Sequence, residues 1–171
     1  MRIFRYIFFF YFFISSTYAE DKIVFIDINY IFKNSDAGKE LNLKILDKDK
    51  DLKSQIDIYR NKIDEEKNKI LSQKNVLSAE EYNKKIVTLE NDIKTINLEI
   101  KKKNDEFIIF RKKIENIFSN NLNLIIEEYS VNNSIGIILN KEDLLMAKKN
   151  LDITLEVLKL FNEKITEIKL N

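Results

Sequence analysis

The chain has 171 residues with 29 basic and 28 acidic side chains, and it contains neither histidine nor cysteine. Without cysteine no disulfide can form, and without either residue type the usual ligands of a structural zinc ion are missing. The balanced charge also argues against nonspecific nucleic-acid binding, which depends on an excess of lysine and arginine. We therefore expect no metal, no cofactor and no nucleic-acid partner.

The first nineteen residues have the composition of a secretory signal peptide. Arg2 and Arg5 precede an unbroken apolar and aromatic run over residues 6–14, and small residues follow as far as Ala19. This pattern predicts a signal peptide over 1–19 that is cleaved after Ala19. The alternative is an uncleaved N-terminal anchor, which the acidic residues directly after Ala19 disfavour. Cleavage leaves a mature chain with a net charge of −1.

A short apolar strand is predicted at the start of the mature chain, at Ile23, Val24, Phe25 and Ile26. Its unbroken apolar sequence is typical of a strand that is buried on both faces. Asp27 follows it as a candidate cap for a helical turn. Beyond Lys39, apolar residues at near-heptad spacing predict a first long helix: Leu41, Ile45, Leu52, Ile56, Tyr59, Ile63 and Ile70. Glu66 and Gln73 are polar members of the same stripe.

A second and longer helix is predicted over residues 82–124 by a ladder of apolar residues with alternating steps of four and three. Its members are Tyr82, Ile86, Leu89, Ile93, Ile96, Ile100, Phe107, Phe110, Ile114, Ile117 and Leu124. No glycine or proline interrupts the run, so this is the seam of a long coiled coil. Lys103 and Asn121 are the polar positions of the seam, and we hypothesise that they set the register or loosen the coil.

The turn between the two helices is predicted near residues 73–78. Ser78 and Glu81 have the spacing of a capping box, in which each side chain accepts a hydrogen bond from the other residue's amide. Five lysines surround this turn with only two acids among them, which gives a basic tip: Lys67, Lys69, Lys74, Lys84 and Lys85. The basic tip could meet acidic partners or anionic lipid, and the simpler interpretation is a solvated helix face.

The segment after the hairpin predicts the rest of a small body. A second buried strand is expected at Ile135, Ile137, Ile138 and Leu139, and a third short strand is expected over 144–147. Asp152 is the candidate N-cap of a last helix whose apolar face covers the sheet. The hairpin brings the second strand beside the first, so the strand residues form the predicted core of the body and of an oligomer.

The sequence therefore predicts an α+β fold that is predominantly α. A long antiparallel coiled-coil hairpin over 41–129 projects from a small β/α oligomerisation body formed by 20–40 and 130–171. A body of about sixty residues rarely folds alone without disulfides or metal ions, so we expect oligomerisation to supply the missing buried area.

Four segments resemble the Skp (OmpH-like) family of periplasmic chaperones: KIVFID at 22–27, SDAGK at 35–39, IILN at 137–140 and LDITLEVL at 151–158. The resemblance covers nearly all of the mature chain and includes the order strand, hairpin, strand and helix. It implies a periplasmic homotrimer whose coiled-coil tentacles hold unfolded outer-membrane proteins without ATP. The family's better-known members are strongly basic, and this chain differs from them in its net charge.

Apolar residues away from the seam are the candidate client-binding residues: Ile58, Val87, Leu98, Ile108 and Ile109. Pairing within the hairpin would leave them exposed, although scattered apolar residues are common on any surface. A structural coiled coil of the cell envelope without chaperone activity is the alternative. An enzyme is the least expected class, because each carboxylate that can be placed lies on a solvated helix face or in a cap.

Overall fold

The structure is a computed structural model that describes residues 22–170. The predicted signal peptide and its cleavage site at Ala19 lie outside the described residues. Residues 22–170 form two strands and four α-helices, and the predicted α+β, predominantly helical fold class is confirmed. In chain order they are β1 (Lys22–Ile26), α1 (Ile28–Asn34), α2 (Asp36–Ser72), α3 (Ala79–Asn132), β2 (Ile135–Asn140) and α4 (Thr154–Lys164).

Helices α2 and α3 form the hairpin and are its two arms. With 37 and 54 residues, they are roughly 55 and 80 Å long at a rise of about 1.5 Å per residue. The predicted capping box starts α3: the Glu81 amide donates to Ser78 Oγ at 3.3 Å, and the Ser78 amide donates to Glu81 Oε2 at 3.0 Å. None of the helices in the described part of the chain is long and apolar enough to cross a membrane.

The seam between the arms follows the predicted ladder along most of its length. Leu52 and Ile70 of α2 and Leu89 and Ile96 of α3 are buried. Near the base the prediction is wrong by one residue, because Leu124 is 63% exposed whereas Ile125 is buried. There α3 packs on the body, and the 3.6 residues per turn of an α-helix move its buried face away from the heptad positions.

The two polar seam positions differ in their surroundings. Asn121 is half-buried, and its Nδ2 donates to the carbonyl oxygen of Ile117 at 2.8 Å, within its own helix. Lys103 is half-buried beside a groove of about 70 Å³ that Asp51 and Glu106 also line. Lys103 therefore lies among acids from both arms, whereas Asn121 forms a hydrogen bond along α3.

The sheet consists of β1 and β2, which are parallel and in register from Ile23 opposite Ile137 to Ile26 opposite Asn140. One face packs on the helices: Val24 and Ile26 are buried there, and Ile135 and Ile138 are half-buried. On the other face Phe25 is buried, but Ile23, Ile137 and Leu139 are exposed. Within a single copy the expected burial of both faces is therefore incomplete, because the described helices pack mainly on one face, and the role of these residues in an oligomer core stays a prediction.

The predicted third strand at 144–147 is also wrong. A 3₁₀ turn at Lys141–Asp143 leads into irregular backbone, and Leu145 and Met146 are almost fully exposed. A strand needs a partner for its backbone N–H and C=O groups. The position beside β1 is occupied instead by the 152–153 segment, whose Ile153 amide donates to the carbonyl oxygen of Phe25 at 3.0 Å.

The core of the body forms where the base of α3 meets α1 and α4. Phe118 of α3 contacts Phe32 edge-to-face at a ring-centroid distance of 4.9 Å and contacts Phe161 of α4 at 5.2 Å. Lys164 of α4 also forms an ion pair with Glu128 of α3. The amide of Thr154, the first residue of α4, donates to Asp152 Oδ1 at 2.9 Å, so Asp152 lies one residue before the N-cap position.

The join between α1 and α2 has room only for glycine at position 38. Ser35 is buried and its Oγ accepts from the Gly38 amide at 3.1 Å. A Cβ atom at Gly38 would lie 2.0 Å from the carbonyl oxygen of Phe32 and 2.6 Å from Ser35 Oγ. The close approach of the two helices therefore requires the absence of a side chain there.

We predict that Gly38→Ala lowers the free energy of unfolding by about 1–3 kcal/mol, because the added methyl group forces apart α1 and α2. Thermal unfolding followed by circular dichroism measures the effect. Lys39→Ala, at an exposed neighbouring position, is the control and should change stability by less than about 0.5 kcal/mol. A melting temperature equal to that of the unsubstituted chain would contradict this account of the join.

Candidate functional site

The five candidate client-binding residues all lie on the outside of the hairpin. Ile58 is 63% exposed, Val87 54%, Leu98 69%, Ile108 49% and Ile109 66%. The exposed part of these apolar side chains adds nothing to the stability of the hairpin itself. They are therefore available for contacts with another molecule, and their role as client-binding residues stays a prediction.

Three of these residues form a row along α3. Val87, Leu98 and Ile109 follow one another at intervals of eleven residues, which places them on one face with about 16 Å between successive members. This face is opposite the seam residue Leu89. Ile108 lies to one side of the row, and Ile58 lies on the other arm. The structure thus aligns three candidates without joining them into a continuous apolar patch.

The basic tip does not form an anion pocket. Lys67, Lys69, Lys74 and Lys84 are exposed and Lys85 is half-buried. Lys69 Nζ lies 3.7 Å from Glu66 Oε2, and both side chains are in contact with solvent. The five lysines therefore surround the turn as separate charges.

A groove of about 340 Å³ separates the arms close to the tip. Ile70 and Leu89 are buried residues of its lining, while Glu66, Glu81 and Asp92 outnumber the two lysines, Lys84 and Lys85. The hydrogen bonds from Ser78 hold the pKa of Glu81 below its ordinary value, so this acid keeps its negative charge. The groove is amphipathic with a small excess of acids.

Asp27 connects three parts of the body at the end of β1. Its carboxylate accepts from the Tyr30 amide at 2.8 Å and from Lys141 Nζ at 3.0 Å, and its own amide donates to Thr154 Oγ1 at 2.9 Å. The first bond caps α1, as the sequence predicts. The other two connect β1 to the turn after β2 and to the start of α4.

The ionisation of Asp27 reflects these contacts. Burial raises the pKa of the carboxyl, but the hydrogen bonds from the Tyr30 amide and Lys141, together with the positive charges of Lys141 and Lys33, outweigh burial and lower the pKa. Such a group stabilises the fold fully above its unfolded-state pKa, and the stabilisation is lost as the pH falls through the lower folded-state pKa.

The exposed Leu145 and Met146 were missed as candidate functional residues because the sequence places them in a strand. Their neighbours Lys148 and Lys149 are also exposed. An apolar run that no element within residues 22–170 covers is a signal for a contact with another chain. Within residues 22–170, no group of three or more acids that could hold a metal ion is present.

Comparison with known proteins identifies the family. The model of the OmpH-like outer membrane protein family matches residues 22–161. The chain belongs to this family. The resemblance that the terminal segments indicate is thus confirmed over β1, the hairpin, β2 and most of α4. No curated protein matches the sequence.

A solved structure shares the fold of this OmpH-like chain. It is the crystal structure of an OmpH-like protein from Caulobacter crescentus CB15 that is proposed to be an outer membrane chaperone. The two chains are 15% identical, the match covers 90% of each, and the TM-score is 0.75. The likeness at this identity concerns the fold, which extends over the body and both arms.

We predict that Asp27→Asn lowers the free energy of unfolding at pH 7 by no more than about 1 kcal/mol, because the solvent-screened ion pair with Lys141 is lost while the cap of α1 is retained. The difference between the variant and the unsubstituted chain should shrink as the pH falls below the ordinary carboxyl pKa of 3.8. Chemical denaturation at a series of pH values measures it. Asp143→Asn, at an exposed position nearby, is the control; an effect independent of pH would contradict the role of the charge.

Proposed function

We propose that this OmpH-like protein is a periplasmic holdase chaperone that acts without ATP. It binds unfolded outer-membrane proteins between its coiled-coil arms and prevents their aggregation. The observation that carries the proposal is the row of exposed apolar residues Val87, Leu98 and Ile109 along an arm about 80 Å long. Many weak contacts of this kind hold an extended chain reversibly, because each contact raises the effective concentration for the next.

The shape of the chain suits confinement of a client. A hairpin with one apolar seam is stiff along its axis but encloses nothing by itself, so a cavity requires several hairpins on a common base. We propose a homotrimer, assembled through the body. The exposed sheet face with Ile23, Ile137 and Leu139, and the exposed Leu145 and Met146, supply apolar area for that assembly.

The composition is consistent with binding rather than chemistry. The chain has no histidine or cysteine and only two glycines, so a glycine-rich phosphate loop of the kind that binds ATP is not available. We propose that the protein is not an enzyme and needs no cofactor. The lysines of the tip add a transient contact with anionic lipid, which surface charge alone supports.

A scaffolding coiled coil of the cell envelope is the second candidate. It is favoured by the wide spacing of Val87, Leu98 and Ile109, since isolated apolar residues occur on many surfaces. Such a protein would assemble through its body but would have no affinity for unfolded chains. The two candidates therefore differ in one measurable property, the suppression of aggregation.

The test is light scattering of a denatured outer-membrane β-barrel protein diluted into buffer with the chain that begins at Glu20. A parallel mass measurement gives the oligomeric state. We expect aggregation to stop near one trimer per client without nucleotide. Assembly of the protein with unchanged aggregation would overturn the holdase proposal in favour of the scaffold.

We also predict that serine substitution of Val87, Leu98 and Ile109 together weakens protection severalfold, because the outer row of α3 loses its apolar contacts. The same scattering assay measures the loss. The matched control replaces Leu124, Val131 and Leu155, which have similar exposure but lie at the base and on the body, and it should retain protection. Equal losses in the two variants would contradict a client contact on the arms.

A further inference from the structure

The side of α3 that points away from the seam is basic. Residues 84–116 along this side, taken in steps of three and four, include Lys84, Lys94, Lys102 and Lys112 and a single acid, Asp105, all exposed. We call these five residues the α3 outer face. Lys94, Lys102 and Lys112 form no ion pair with another described residue, so their charges are directed into solvent.

The corresponding side of α2 is acidic. Asp47, Asp57 and Glu65 lie on it with one base, Lys50, and all four are exposed. We call these the α2 outer face. Asp57 has a long ion pair of 3.8 Å with Arg60, in which both side chains are about 70% exposed; solvent screens a pair of this kind strongly. The hairpin thus has one basic edge and one acidic edge.

The charges on the two faces have the same spacing. Lys94, Lys102 and Lys112 are separated by eight and ten residues, and so, in reverse chain order, are Glu65, Asp57 and Asp47. These intervals are about 12 and 15 Å along a helix. Because the same two unequal intervals occur on both arms, the three lysines of α3 can each lie level with one of the three acids of α2.

The register of the hairpin sets this correspondence at equal height. Seam residues of the two arms that lie side by side show the register: Leu52 lines one groove with Phe107, and Ile70 lines the other with Leu89. Counted from these pairs in the antiparallel hairpin, Lys102 lies level with Asp57. The same holds for Lys94 with Glu65 and for Lys112 with Asp47.

We propose that the α3 outer face of one copy pairs with the α2 outer face of the next copy in the assembly. The two faces of one hairpin point in opposite directions, so they cannot meet within a chain. Rotation about an axis parallel to the hairpins keeps each residue at the same height along that axis. A side-by-side contact between two different faces is heterologous, and such contacts close into a ring when the rotation closes. The proposal rests on the cyclic assembly proposed above, and the partner it names is a second copy of this chain.

The proposed pairing between the arms of neighbouring copies is weak and reversible. Exposed ion pairs are screened by salt. The apolar row on α3 also lacks apolar partners on the neighbouring α2, since Leu98 lies level with the polar Asn61. Contact between the arms covers the row of Val87, Leu98 and Ile109 in the empty assembly. A bound client then replaces the neighbouring arm on the same face, so the arms open as the cavity fills.

Cross-linking tests the pairing directly, because the chain has no cysteine of its own. The variant Asp57→Cys with Lys102→Cys is treated with a short bis-maleimide at high dilution and analysed under denaturing conditions. We expect covalent multimers whose yield falls severalfold between about 50 mM and about 0.5 M salt. The control is Asn68→Cys with Lys102→Cys. Asn68 is exposed on the same side of α2 as Asp57 but lies about 16 Å further along the helix. This variant should give little product.

Charge reversal is the second part of the experiment. In the Asp57→Cys, Lys102→Cys background, Lys94→Glu with Lys112→Glu should abolish the product, and adding Glu65→Lys with Asp47→Lys should restore it. Equal yields from the matched and control cysteine pairs, in a protein whose mass is that of an assembly, would overturn the pairing and leave the holdase proposal intact. A monomeric mass would overturn the pairing together with the assembly.

Discussion

The packing of Phe118 between Phe32 and Phe161 is the contact on which the rest of the structure depends. Helix α3 has 54 residues, and only its base is held by more than one neighbouring element. The three rings join α3 to α1 and α4 at centroid distances of 4.9 and 5.2 Å. Aromatic pairs at these distances combine large buried area with a preferred geometry. These contacts fix the base of α3 on the body.

Beyond that junction, the arms have little that is buried. A single seam of residues such as Leu52, Ile70, Leu89 and Ile96 holds α2 to α3, and the rest of each helix faces water. This arrangement builds long arms with few buried apolar residues, and it leaves the outer surfaces free to carry charge and isolated apolar residues. The proposed function and the proposed contact between copies both use those outer surfaces, whereas the body serves as their base.

Local patterns predicted most of the fold. The capping box at Ser78 and Glu81, the cap at Asp27 and the helix periods follow from interactions within a few residues, and the structure contains them. The failures concern contacts with distant elements. Leu124 left the seam because the body, rather than α2, packs against the base of α3. The 144–147 segment has strand-like composition, yet the place beside β1 is taken by Asp152 and Ile153.

The candidate site was predictable in composition but not in arrangement. Ile58, Val87 and Leu98 could be identified as exposed because they lie off the seam, and the structure exposes them. The matching heights of the charges on the two outer faces depend on the register of the hairpin, which the neighbouring seam residues of the two arms show only in the structure. The exposed sheet face with Ile137 could not be recognised from an apolar sequence that is equally typical of a covered strand.

The central claim is that the arms, rather than the body, hold the client. Site-specific photo-cross-linking tests it most directly, with a photoreactive residue placed at Leu98 on α3 or at Leu155 on α4, two positions of similar exposure. The account predicts that an unfolded outer-membrane protein is captured at position 98 and not at position 155, and that capture ends when the client folds into lipid. Capture at position 155 alone, or at neither position while aggregation is still suppressed, would contradict it.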